Sequence, residues 1–275
     1  MASETLLLRQ GIVVLAAVLS AYTDIKTGYI YNAITYPLIA LGIVLNLFEQ
    51  NWLGIALGIG ALAAGYVLYL TGNVGGGDVK LFTGIALTLP FQNNQPFIMT
   101  SLVLAGATAL LVLGTAYPFR YWKAGGGWKE IKESIPKTVL LGLVFIAYLY
   151  FTWSWHVIRT EALIGLGIVL ASGLAFTACE EGIRKRLFQT NVQLDKLEED
   201  EVIAWNALPK ELQNESIWEG KRVIGKKQIG ALKERNIHTV PVYRNLPKFG
   251  VFMLVGVAVN LAFPGWMEWA WMQGI

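Results

Sequence analysis

Eight apolar runs punctuate the chain, at roughly 5–24, 33–49, 52–71, 78–90, 97–117, 137–155, 162–178 and 248–265. At ~1.5 Å of rise per residue, about twenty apolar residues cross the ~30 Å hydrocarbon layer of a bilayer. The pattern predicts an all-α polytopic membrane protein with about six to eight transmembrane helices. The fourth run begins at Asp78 and stops near Pro90, a length that suits a tilted helix or one buried among the others. The brief "TWSWHVIRTE" leaves open whether the sixth and seventh runs are separate spans. The opening stretch has no basic start and no small-residue cleavage site, so it reads as the first span.

Residues 179–247 break the pattern. They form a polar segment with apolar residues of its own. Within "KKQIGALKERNI", Ile229, Leu232 and Ile237 predict a short amphipathic helix, and "HTVPVY" predicts a short strand. The chain thus divides into a transmembrane helical domain (1–178), a small α+β insert (179–247), and a last helix with an outer tail (248–275). A segment of ~70 residues is marginal alone and is expected to lean on the helices. The acidic run Glu198 to Glu201 reads as a solvated face.

Composition agrees: 55% of the residues are apolar and only 15% are charged, against ~25% charged in a soluble domain. The single cysteine, Cys179, excludes an internal disulfide and a zinc cluster, and no base marks it as a nucleophile. Charge placement sets an expected orientation. With the N-terminus outside, Lys26, Lys80, the cluster from Arg120 to Lys137 and all basic residues from Arg184 to Lys248 fall in the cytoplasm, 20 of 22 in all. Arg9 and Arg159 remain outside. Trp153, Trp155, Trp266, Trp269 and Trp271 then lie at the outer interface, where indoles are favoured. Glu4, Glu49, Glu161 and Glu268 sit at outer helix ends and carry no evident role.

Two acidic residues stand apart. Asp24 closes the first run, in "YTDIKTGYIYN", and Asp78 opens the fourth, in "GNVGGGDVK". A carboxylate at membrane depth costs at least ~2.5 kcal/mol and marks a functional site by default. Two crossings separate them, so both fall at the same depth on the cytoplasmic side. A close pair of carboxyls tends to share one proton. That arrangement suits peptide hydrolysis: one member takes a proton from water while the other hydrogen-bonds the scissile carbonyl. His156 at the outer face and His238 in the insert cannot reach the pair, and no metal-ligand cluster or cofactor motif is present. Gly75, Gly76 and Gly77 permit unusual backbone angles and close approach of a substrate backbone. The plainer alternative is a tight loop with a helix cap at Asp78.

"YTDIKTGYIYN" together with "GGGDVKLFTGIAL" resembles the type IV prepilin peptidase and preflagellin (prearchaellin) peptidase family, membrane aspartic proteases of the Gly-x-Gly-Asp kind. The matching positions are Asp24, Lys26 and Asn32, then Gly75, Gly77, Asp78 and Lys80. The resemblance covers mainly residues 5–117, with a fainter echo at 217–255 in "VPVYRNLPKFGVF". It implies that Asp24 and Asp78 are catalytic. It also implies that the substrates are prepilin- or prearchaellin-like precursors, in which a short basic leader precedes a hydrophobic helix, cut at the cytoplasmic face of the lipid bilayer. Lacking an N-terminal cytosolic domain with Cys-x-x-Cys, the sequence resembles the archaeal, peptidase-only branch. Presenilin-like relatives carry a Pro-Ala-Leu motif in a later span, and none is found here.

The flanking polar residues admit two readings each. Lys26 and Lys80 follow their aspartates by two positions, an offset that turns them to nearly the opposite helix face. They snorkel to headgroups or tune the field of the pair. Asn32 caps the second helix or orients a carboxyl or substrate carbonyl. Tyr22 donates near Asp24 or is an interfacial aromatic. Other functions compete: a proton- or cation-coupled transporter using the two aspartates, or a scaffold whose insert recruits partners. Against the transporter, both aspartates lie at one face and no second half repeats the interruption. No nucleic-acid partner is expected.

Overall fold

Every apolar run is helical in the computed structural model, which describes residues 2–71, 74–197, 201–213, 218, 224–235, 237–244 and 246–271. In chain order the long helices are α1 (Ala2–Thr27), α2 (Asn32–Phe48), α3 (Trp52–Leu70), α4 (Gly76–Thr88), α5 (Phe97–Lys123), α6 (Trp128–Ser154) and α7 (Thr160–Ile183). The polar segment contributes short α8 (Lys210–Gln213) and α9 (Lys226–Glu234), and α10 (Phe249–Ala262) and α11 (Trp266–Trp271) follow. Helices α1, α3, α5, α6 and α7 are long and apolar enough to cross a membrane, while α2 and α10 are shorter apolar helices. The protein is a polytopic, predominantly helical membrane protein. The sixth and seventh runs are two helices, with the chain reversing near His156 at φ 52°.

Two helices outrun their apolar patterns. α5 continues through Pro118 to Lys123, and α6 starts at Trp128 rather than at residue 137. The extensions are polar, so hydropathy hides them; tertiary contacts hold them instead. Glu130 pairs with Arg186 (2.9 Å), Glu133 with Lys185 (3.1 Å) and Lys137 with Glu180 (2.5 Å). Exposed pairs of this kind contribute little each, and the buried anchor is Tyr121. Its hydroxyl lies 2.8 Å from both the Gly127 carbonyl and Glu130 Oε2 and accepts the Gly127 N–H at 3.0 Å. A Cβ at Gly126 or Gly182 would overlap its ring.

α4 is the innermost helix, with Val79 and every residue from Leu81 to Thr88 buried. Its thirteen residues rise only ~20 Å, so its ends lie within the protein. α2 and α3 pack on one side of it through small residues: Gly42 and Gly58 meet Leu87, and Gly65 meets Val79. α10 sits between α1 and α5, α5 carries α7, and α6 lies on α7. The last apolar helix in sequence is therefore wedged beside the first.

A helix ending inside a bilayer leaves carbonyls without partners. At the end of α4, Arg9 Nη1 donates to the Thr88 carbonyl (2.6 Å) and Asn46 Nδ2 to the Leu87 carbonyl (2.7 Å). Arg9 is 5% exposed and pairs with Glu49 at 2.9 Å. Arg9 and Glu49, two charges with no apparent role in the sequence, thus close the far end of the helix that carries Asp78.

A small hairpin, β1 (Phe91–Gln92) with β2 (Gln95–Pro96), joins α4 to α5. In the polar segment β3 (Gln189–Gln193), β4 (Val202–Ile203) and β5 (Thr239–Tyr243) form an antiparallel sheet in the order β3–β5–β4, with Gln189 opposite Tyr243. The predicted amphipathic helix is α9 and the predicted strand is β5. α7 continues to Ile183, and a five-residue π-helical turn (Arg184–Phe188) leads into β3. Leu194, Trp218, Ile224, Leu232, Val240 and Val242 form this segment's own core. Residues 198–200 of the acidic run lie outside the described residues. Glu201 is not a solvated residue: its carboxylate, 11% exposed, binds Arg244 at 2.5 Å.

Candidate active site

Asp24 lies near the C-terminal end of α1, and its main-chain carbonyl accepts the Gly28 N–H at 2.9 Å as the helix closes. Gly28 adopts φ +79°, a conformation suited to the glycine that ends a helix. The loop of residues 28–31 then turns directly into α2. Asp24 is 6% exposed, and its Oδ2 accepts the main-chain N–H of Gly250 at 2.8 Å. Gly250 is the second residue of α10, so this N–H has no acceptor within its own helix. Asp24 thereby caps α10 from another helix.

Asp78 is the third residue of α4, whose N-cap is Gly75. Asp78 Oδ2 lies beside Gly75, where a Cβ would stand 3.0 Å from it, at the turn where the free N–H groups of α4 point outward. Both carboxylates therefore sit where helix N-termini present N–H groups and partial positive charge. They lie within electrostatic reach of each other. The structure brings together two aspartates that are 54 residues apart in sequence.

The glycines before Asp78 serve close approach rather than unusual angles. Gly75 has φ −72° and ψ 148°, and the described glycines with positive φ are Gly28 and Gly125. A Cβ on Gly77 would stand 3.0 Å from Ile30 Cβ and 3.1 Å from the Ile30 carbonyl oxygen. Gly77 thus lets the loop after α1 lie on the start of α4. Gly76 faces the Tyr69 ring at an ordinary contact distance. Residues 72 and 73, the start of the motif, lie outside the described residues.

Lys80 donates to Asn32 Oδ1 at 2.7 Å and stands 5.1 Å from the centre of the Tyr36 ring. This contact staples α4 to the start of α2, so the lysines and asparagine of the two motifs do not act alike. Asn32 is the first residue of α2 rather than its cap, which is Tyr31. Lys26 lies on the exposed face of α1, 3.5 Å from the Tyr22 hydroxyl, and Tyr22 is 58% exposed. Neither is hydrogen-bonded to Asp24. Gly250 and Lys248 were not legible as site residues from their own stretch of sequence. Lys248 lies within electrostatic reach of Asp24. The only signal was the proline- and phenylalanine-containing junction "LPKFG" re-entering the membrane. Among the described residues no group of three His, Cys, Asp or Glu side chains converges as a metal site would require.

Both aspartates fall within a stretch that matches a known family. Residues 11–113 match the type IV leader peptidase family. Prepilin peptidase EppA of Methanothermobacter thermautotrophicus is 32% identical over 197 residues, which cover 62% of this chain and 46% of that protein. Prepilin peptidase EppA of Methanocaldococcus jannaschii is 26% identical over 158 residues, covering 56% of this chain and 43% of its own. The chain spans less than half the length of these curated relatives. No solved structure matches it significantly.

Proposed function

We propose that this relative of the type IV leader peptidases is a membrane aspartic endopeptidase that removes a short basic leader from prepilin- or prearchaellin-like precursors. The observation that carries the reading is the juxtaposition of Asp24 and Asp78 at two helix N-termini, within the segment that matches the family. One carboxyl takes a proton from water as the water oxygen attacks the scissile carbonyl. The other donates its proton to the carbonyl oxygen. The surrounding residues serve this chemistry by placement. Gly77 and the Lys80–Asn32 contact lock the first loop to the start of α4, which holds the two carboxyls in one register.

In this reading the pair faces an aqueous surface at the ends of the apolar helices, and the charge asymmetry of the loops supports the cytoplasmic side. A precursor with a polar leader and an apolar helix would lay its cleavage site there, with its helix among the spans and its leader toward the polar segment 179–247.

The test is direct. Membranes containing the protein are incubated with candidate precursors, and the product is examined by mass and N-terminal sequence. The expected result is a shortened precursor lacking its basic leader. An intact precursor, combined with Asp24- and Asp78-dependent cation uptake in vesicles, would return the two aspartates to a transporter.

A further inference from the structure

We propose that the turn entering α10, through Lys248 and the Gly250 N–H, is a third component of the active site and holds Asp24 as the charged member of the pair. The assignment rests on the endopeptidase reading above, whose family match ends at residue 113, well short of this turn.

Three features converge on the Asp24 carboxylate. The first is the 2.8 Å hydrogen bond from Gly250 N–H to Oδ2, at the N-terminus of a fourteen-residue helix, where a negative charge is favoured. The second is the closeness that only glycine allows. A Cβ at Gly250 would lie 3.0 Å from Asp24 Oδ2, 3.2 Å from Asp24 Cβ and 3.4 Å from Ala21 Cα. The third is Lys248, the N-cap of α10. Its ammonium occupies the space beside Gly28: a Cβ there would be 2.6 Å from Nζ. From that seat its charge acts on Asp24.

Among the described residues, the lysines of the two motifs are engaged elsewhere. Lys26 lies by Tyr22, and Lys80 lies by Asn32 and the Tyr36 ring. Asp78 on α4, within electrostatic reach of Asp24, lies beside Gly75 and has no lysine among these contacts. The asymmetry divides the labour. The water oxygen bonds to the scissile carbon as Asp24 takes the water proton and Asp78 gives its proton to the carbonyl oxygen. When the resulting diol collapses, the C–N bond breaks. The proton on Asp24 then passes to the leaving nitrogen, and a diol hydroxyl returns a proton to Asp78.

Lys248 is a positioning residue, since it acts through Asp24. In the full-length protein, Lys248→Met is expected to lower kcat by about tenfold or more with KM nearly unchanged, and Lys248→Arg to restore most of it. Equal kcat in wild type and Lys248→Met would overturn the proposal. Infrared spectroscopy of the purified protein near neutral pH tests the charge without reference to turnover. Lys248→Met is expected to add a protonated-carboxyl C=O stretch, and Asp24→Asn on that background to remove it. Identical carboxyl bands in wild type and Lys248→Met would overturn the proposal even if cleavage is observed. If no precursor is cut, the endopeptidase reading fails on its own and the infrared comparison still decides the role of Lys248.

Discussion

Gly77, at the start of α4, lies against the main chain of Ile30, so that a methyl group at Gly77 would sit 3.1 Å from the Ile30 carbonyl oxygen. This contact joins the loop that follows Asp24 to the turn that carries Asp78. A β-branched side chain here would push the two segments apart. Gly77→Val is therefore expected to reduce precursor cleavage by about a hundredfold, in keeping with the sensitivity of catalysis to ångström misplacement, while membrane expression is largely retained. Normal cleavage by Gly77→Val would show that this approach is not needed for the site.

Asp24 and Asp78 are expected to be separately indispensable. Asp24→Asn and Asp78→Asn should each abolish cleavage, and the double variant should be no worse than either, because the pair acts as a unit. The measurement is single-turnover cleavage with each variant purified and checked for fold by circular dichroism. Substantial activity in one single variant would break the pair apart as a catalytic unit.

Arg9 illustrates a stability effect at the opposite end of α4. Arg9→Met removes the donor to the Thr88 carbonyl and the partner of Glu49. Leaving a buried acceptor unsatisfied costs ~1–3 kcal/mol. The expected outcome is a lowered thermal unfolding midpoint in detergent, partly recovered by the double change Arg9→Met with Glu49→Gln. An unchanged midpoint in Arg9→Met would mean that the carbonyls find other donors.

Trp218 tests the polar segment. It is 1% exposed, sits in that segment's core and donates its indole N–H to the Leu212 carbonyl at 2.5 Å. Trp218→Ala is expected to cost ~3–5 kcal/mol locally. Limited proteolysis should then cut between residues 189 and 243, while the apolar helices remain protected by the membrane. Proteolysis no faster than in wild type would contradict that expectation.

The proposed orientation is testable with single cysteines in a background with Cys179 replaced. Thr71→Cys and Ala124→Cys are expected to react with membrane-impermeant reagents only in inside-out vesicles, and Ser154→Cys only in right-side-out ones. The reverse pattern would place the aspartates outside and remove the rationale for cutting precursors before export.

Much of this protein is determined locally. Run length predicts a helix at each apolar run, and because two of these helices, α2 and α3, lie between Asp24 and Asp78, the pattern alone leads to the expectation that both aspartates share one side. The short α9 and β5 were likewise visible as local periodicities of the polar segment. The ends of α5 and α6 were not, since Tyr121, Glu130 and Arg186 hold them by contacts across the chain. Lateral order was invisible for a more general reason. In a bilayer the faces toward lipid and toward protein are both apolar, so hydropathy does not say which helices are neighbours. That choice is made by small residues that allow close approach and by polar groups that need partners. Gly250 meets Asp24 across 226 positions of sequence, and Arg9 meets Thr88 across 79. Only the packed structure, with α10 wedged between α1 and α5, brings those groups within hydrogen-bonding distance.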